Sequence, residues 1–410
     1  LPDAELNCGI CGAPMAIIGK EIHRSLVIEP PKFHERDDVY YTYACPACEK
    51  ETDEANIVKA VKEPAVLPGS FASAETIAHI MTQKFVMYSP LYRQEQAFNR
   101  AGLKLSRQTM SNWILHASDD WLKPIYEQLQ KQLCASSVLH ADETTLQVLK
   151  EPGRPATSKS YMWLYRTSGD ASQPIVLYEY QPNRKAEHAE QFLGEFAGWL
   201  HADGYAGYHK LPTKIRVVGC HAHARRKFDE ALSALSPEAQ KGSKAAEGVA
   251  FFSRLFKLED DFAALSPEER YGKRLEQEKP VLDALLAWGN ALMPKTAPKS
   301  ALGKALHYLL EQWPYLIRYL EDGRLELSNN RAERSIKPFV MGRKNFLFCN
   351  TPGGAQSGAV IYSLIETAKE NGLDPYRYLL WIFRTAPKLF QSDTAWATRL
   401  LPALAPAECK

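Results

Sequence analysis

The chain has 410 residues, 45% of them hydrophobic and 24% charged, with a formal net charge of +2. At roughly 100–200 residues per domain, that length calls for two to four domains and is enough to bury a large core. The near-neutral balance excludes a polybasic or strongly acidic protein, but it does not exclude a nucleic-acid partner, because clustering outweighs the sum. Basic residues do cluster. Lys214, Arg216, Arg225, Arg226 and Lys227 share one stretch with no acid. Arg331, Arg334, Lys337, Arg343 and Lys344 share another, in which Glu333 is the one acid. No apolar run reaches the roughly 18 residues of a membrane span, and the opening residues carry no signal-peptide core. Eight cysteines in a long chain without a signal favour metal binding in a reducing compartment, so a cytoplasmic protein is expected. The chain opens on Leu1 and not Met, and is expected to be part of a longer polypeptide.

Residues 1–50 form the first expected unit. Cys8-x-x-Cys11 and Cys45-x-x-Cys48 bracket strand-like runs at 25–28 and 39–43. Zinc takes four soft ligands in a tetrahedron, and each Cys-x-x-Cys turn offers two thiolates from a tight knuckle. The 33 residues between the pairs suit a zinc ribbon, in which a strand hairpin carries the knuckles together around one structural zinc. Pro64, Pro68 and Gly69 mark residues 51–69 as a linker.

Residues 70–135 read as helical, with helices from Ser73 to about 88, from 91 to 101, and from Arg107 to 117 after a Gly102 turn and a Ser106 cap. The last two make a helix-turn-helix. Its second helix would offer Arg107, Gln108, Ser111 and Asn112 to DNA while Leu105, Met110, Trp113 and Ile114 pack inward. Many helix pairs carry such a turn without touching DNA.

Residues 136–235 change to strand-like runs at 138–149, 161–166 and 174–180, then a helix near 185–196, short strands at 199–202 and 215–219, and a helix from His221. This is an α/β sheet that starts as a meander. Residues 236–326 are all helical and read as an insertion. The core resumes over 327–372, with a helix after Asn329-Asn330, and a C-terminal helical segment covers 373–410.

Three acids stand out, each with an ordinary reading beside the functional one. Asp142 lies in a strand, where a carboxylate needs a cation or a hydrogen-bond network, although alternation alone does not choose between Asp142 and Glu143. Asp203 precedes Gly204, as many turn aspartates do. Glu333 lies three residues after Asn330, the layout of a capping box. Cys220-x-x-His223 offers two metal ligands, not four, and without a second pair nearby a packing role is favoured over zinc.

Together these segments resemble the insertion-sequence-sixty-six family of transposases along nearly the whole chain. The resemblance runs through Tyr43-Ala44-Cys45-Pro46-Ala47-Cys48, Ser89-Pro90-Leu91-Tyr92-Arg93, Leu105-Ser106-Arg107-Gln108-Thr109 and Leu139-His140-Ala141-Asp142-Glu143-Thr144. It continues through Ala202-Asp203-Gly204-Tyr205, Cys220-His221-Ala222-His223, Asn329-Asn330-Arg331-Ala332-Glu333-Arg334 and Gly342-Arg343-Lys344-Asn345. It ends on Ile361-Tyr362-Ser363-Leu364-Ile365-Glu366.

The resemblance implies an RNase H-like core with a DDE triad at Asp142, Asp203 and Glu333. It implies two magnesium ions roughly 3.5–4 Å apart that align the nucleophile and neutralise the leaving oxygen. It also implies a DNA partner, with Arg225, Arg226, Arg331, Arg334, Lys337, Arg343 and Lys344 holding phosphates, and homo-oligomers on DNA. The family often carries a second Asp after the first catalytic one, where this chain has Glu143, and a coiled coil ahead of the ribbon. Two other classes share these parts. A relative that only binds DNA is disfavoured by three intact acids, and a nuclease of the same fold by the ribbon and helix-turn-helix.

Overall fold

The computed structural model describes residues 6–28, 32–52 and 56–410. The chain divides into two compact units, 1–60 and 61–410.

In the first unit, Cys8 and Cys11 sit on a tight knuckle. The Cys8 amide donates to the Ala13 carbonyl at 2.8 Å, and the Gly12 amide donates to the Cys8 carbonyl at 2.8 Å. Gly12 takes the left-handed φ of +71° that the turn requires. Strand β1 (Thr42–Ala44) pairs antiparallel with β2 (Ile57–Lys59), and helix α1 (Pro46–Thr52) follows Cys45. So the expected linker contributes a strand, while the strand expected at 25–28 does not form. Leu26, Val27 and Ile28 there are 92%, 77% and 82% exposed. Pairing apolar residues is rewarded by burial, and nothing covers these. None of the side chains described in 6–60 is buried.

The second unit opens with α2 (Ala74–Phe85), α3 (Leu91–Arg100), α4 (Arg107–Ala117) and α5 (Lys123–Cys134). The Ser73 and Ser106 hydroxyls accept the Thr76 and Thr109 amides at 3.1 Å, capping α2 and α4. Gly102, at φ +85°, turns the chain between α3 and α4. A π-helical turn, Ser118–Leu122, carries α4 into α5.

The sheet has the order β5-β4-β3-β6-β7. Strands β3 (Val138–Gln147), β4 (Lys159–Thr167) and β5 (Val176–Gln181) form an antiparallel meander; β6 (Gly198–His201) and β7 (Ile215–Val218) run parallel to β3. Helix α6 (Ala186–Leu193) connects β5 to β6. Val138, Leu139, His140 and Ala141 are buried in succession, as suits a central strand covered on both faces.

Helix α7 (His221–Ser233) follows β7 and leads into α8 (Pro237–Gln240), α9 (Lys244–Asp261), α10 (Pro267–Lys273), α11 (Lys279–Leu292) and α12 (Ala301–Leu316). Helices α7, α9, α11 and α12 share one apolar core with the sheet: Phe252, Leu285 and Leu309 pack with Val138 of β3 and Val218 of β7. Fully buried Arg274 is matched by Glu259 at 2.6 and 2.7 Å and by the Tyr319, Asp322 and Leu325 carbonyls.

Helix α13 (Asn330–Phe346) returns to the sheet, and the Cys349 amide then donates to the Gln147 carbonyl at the end of β3. Helix α14 (Pro352–Glu370) lies along β5, whose Tyr178 and Val176 amides donate to the Ser363 and Thr367 hydroxyls at 2.7 and 3.0 Å. An edge strand otherwise left open is thereby satisfied. Helix α15 (Pro375–Phe390) packs on α2, with Arg384 on Glu75 at 2.6 Å. No helix among the described residues is long and apolar enough to cross a membrane.

Candidate active site

Asp142 sits where the buried half of β3 gives way to its half-buried half, paired across from Leu164 of β4. Its Oδ1 accepts the Glu143 amide at 2.8 Å. Asp203 lies just past the end of β6, the parallel neighbour of β3, and its Oδ1 accepts the Tyr205 amide at 2.9 Å. Gly204 is needed beside it: a Cβ there would come within 2.7 Å of the Tyr308 hydroxyl on α12. Helix α12 thus packs against the turn that carries Asp203. Glu333 comes from the first turn of α13.

The three acids stand on separate elements yet share one field. Burial, then the charges of Glu143, Asp203 and Glu333, push the Asp142 carboxyl from 3.8 to about 8. Burial first, then Asp203, also raises Glu143. Glu143 has its own partners in the Tyr208 hydroxyl, at 2.5 Å, and in Arg184, which stands 3.7 Å from Asp203. No cation plays that part for Asp142, so the site lacks positive charge at that carboxylate.

The alternative role for Glu333 fails. Asn329, not Asn330, is the cap, and its side chain makes no cap bond to the helix. The Glu333 carboxylate turns away to Arg226 at 3.3 Å and His223 at 3.5 Å. Asn329 does something its sequence position does not announce. Fully buried, it donates from Nδ2 to the Ala141 carbonyl at 2.8 Å, and its Oδ1 accepts from His140 Nδ1 at 2.9 Å. Its amide donates to Cys220 Sγ at 3.1 Å. One side chain therefore ties the start of α13 to β3 beside Asp142. Glu326 is engaged by Arg331 at 2.6 Å and Glu366 by Lys369 at 2.8 Å, and neither is among the charges that raise Asp142 most.

The DNA-facing candidates divide. Arg107, Gln108 and Asn112 are exposed and Ser111 half-buried, while Leu105, Met110, Trp113 and Ile114 are buried. Arg226, Arg334, Lys337 and Lys344 are exposed. Arg343 bonds the Thr145 carbonyl and the Thr144 hydroxyl, Arg331 pairs with Glu326, and Arg225 lies 3.5 Å from Asp229.

Within the first unit, backbone amides stabilise the Cys8 and Cys45 thiolates and lower both groups. The four sulfurs are not gathered at one point. Among the described residues, the one group of three His, Cys, Asp or Glu side chains with all ligand atoms within 4.8 Å of one another is Cys220, His223 and Glu333.

Residues 69–357 match the family described as Transposase IS66 family. The chain belongs to the IS66 transposase family. Residues 363–403 match the IS66 C-terminal element. Members of the family move insertion sequences, and DNA is the partner that this activity implies. The uncharacterized protein y4jD of Sinorhizobium fredii is 33% identical over 385 residues, which span 91% of this chain and 73% of that protein. The uncharacterized protein y4qI of the same organism is 30% identical over 419 residues, 99% of this chain and 74% of its own.

Proposed function

We propose that this IS66 transposase is a DDE enzyme that cuts and joins DNA strands at Asp142, Asp203 and Glu333, within an RNase H-like core formed by residues 136–235 and 327–372. A meander of three strands continued by two parallel strands supports that core, with residues 236–326 as an insertion between its second and third acids. The observation that carries the reading is the Asp142 carboxyl, raised to about 8 among Glu143, Asp203 and Glu333 with no cation of its own. Such a donor set of carboxylate oxygens fits magnesium. When bound, two magnesium ions supply charge neutralisation at the attacking and leaving oxygens.

The remaining work belongs to the chain. Asp142, Asp203 and Glu333 would hold the ions through their carboxylate oxygens. Asn329 ties the start of α13, the helix that carries Glu333, to β3, and Arg184 keeps Glu143 and the near side of Asp203 balanced. Exposed Arg226, Arg334, Lys337 and Lys344 receive phosphates. The α3–α4 pair reads DNA through Arg107, Gln108, Ser111 and Asn112.

Cys8, Cys11, Cys45 and Cys48 would hold one structural zinc, which would have to draw the two knuckles together, since their sulfurs stand apart without it. The unit 1–60 buries none of its described side chains, and a unit that small without a core needs a metal or another staple. The protein acts in the cytoplasm, as a homo-oligomer on DNA.

The test is incubation of the purified full chain with a duplex ending in the element's own terminal repeat. Cleavage that requires magnesium, leaves a 3′-hydroxyl and disappears in Asp203→Asn supports the reading; undiminished cleavage by Asp203→Asn overturns the assignment.

A further inference from the structure

Cys220 and His223 have no part in the two-magnesium chemistry, yet they meet one of its acids. Cys220 ends the approach to α7 and His223 lies in its first turn, so the three-residue spacing puts both on one side of the helix. Glu333 enters from the first turn of α13. The two helix starts are stitched together by the Asn329 amide on Cys220 Sγ at 3.1 Å and the His221 amide on the Leu327 carbonyl at 3.1 Å. The sulfur, the imidazole nitrogen and a carboxylate oxygen then fall within 4.8 Å of one another.

Two of these atoms have no hydrogen bond. His223 Nδ1 and Glu333 Oε1 face each other at 3.5 Å, and both are buried without a partner. Arg226 reaches the other oxygen, Oε2, and leaves Oε1 open. An imidazole nitrogen and a carboxylate oxygen buried face to face without a hydrogen bond, beside a thiol sulfur, are costly unless a proton or a metal cation stands between them.

We propose that Cys220, His223 and Glu333 form a second metal site, a three-ligand cradle for one zinc-class divalent ion at the junction of α7 and α13. A thiolate, an imidazole and a carboxylate suit zinc or cobalt and not magnesium, and three protein ligands leave one position of a tetrahedron open. Binding forms a metal–sulfur bond and releases the Cys220 thiol proton to solvent. The ion fixes Glu333 in place. The site shares Glu333 with the transposase reading but does not rest on it, because its test reads metal and not DNA.

The full chain carrying Cys8→Ser, Cys11→Ser, Cys45→Ser and Cys48→Ser removes the N-terminal thiolates. Titrated with cobalt(II), it is expected to bind one equivalent with a thiolate-to-cobalt absorption band that one equivalent of zinc abolishes. Cys220→Ser retains an acceptor for the Asn329 amide and loses the band. His223→Ala weakens binding by at least the roughly 10–100-fold that losing even an outer-shell partner costs. Absence of the band in the four-serine chain, or its survival in Cys220→Ser, overturns the proposal. Failure of magnesium-dependent cleavage leaves these spectra unchanged and touches only the transposase mechanism.

Discussion

Replacing Asp142 by Asn should stabilise the metal-free protein. The folded chain holds the Asp142 proton up to about pH 8, whereas an ordinary Asp sheds it near 3.8. Between those values the folded state binds more protons than the unfolded one, so this group's contribution to stability falls as pH rises from about 4 to 8. At 1.36 kcal/mol per pH unit, the loss at pH 7 approaches about 4 kcal/mol, and water at the half-buried carboxyl reduces it to about 2 kcal/mol. Asn carries no such proton, and its oxygen can still accept the Glu143 amide. In chelator at pH 7, Asp142→Asn should therefore melt about 4 °C above the parent protein, at about 2 °C per kcal/mol for a unit this large. The gap should narrow at pH 5. Magnesium should raise the melting temperature of the parent and leave the variant unmoved, because a cation restores the charge balance only where the carboxylate remains. A variant that melts at or below the parent in chelator, or equal magnesium shifts in both proteins, would refute the electrostatic reasoning.

Glu333→Gln should fold and bind end DNA yet lose cleavage, since Gln is a poor magnesium ligand; near-normal cleavage together with a dead Glu366→Gln would move the third acid to Glu366. Asn329→Ala leaves the Ala141 carbonyl and His140 Nδ1 without partners, at about 1–3 kcal/mol each, and denaturant unfolding should show that loss together with weaker magnesium stabilisation. Arg107→Ala should weaken binding to end DNA and reduce the salt slope by about 1 if the contact is to phosphate, and unchanged affinity across salt concentrations would take α4 out of the interface. Cys45→Ser should remove about one zinc per chain by elemental analysis, and a first unit that stays folded without zinc would contradict the ribbon.

Much of the second unit was legible because its signals are local. Ser73 and Ser106 cap their helices by accepting amides three residues on, Gly102 supplies a positive φ within its own turn, and α4 buries Met110, Trp113 and Ile114 at helical spacing. The strand runs near 138, 161, 174, 199 and 215 and the all-helical insertion were likewise written in period and punctuation. The same signals misled at 25–28, where a strand-like run found nothing to cover it.

The acids were named by resemblance to a family, since no single one of them declares itself. Only the tertiary structure decided what surrounds them. Asn329 looked like the neighbour of a helix cap and proved to tie α13 to β3. Arg343 looked like a phosphate ligand and bonds the Thr144 hydroxyl of β3. Cys220 and His223 looked like half a motif and meet Glu333, about 110 residues on. The reason is physical. A cap or a turn is closed by atoms a few residues apart, so its partners lie in the same stretch of sequence. Joining residues about 110 to 200 positions apart costs nearly the same loop entropy for many alternative pairings, and the choice among them falls to the packing of the whole core.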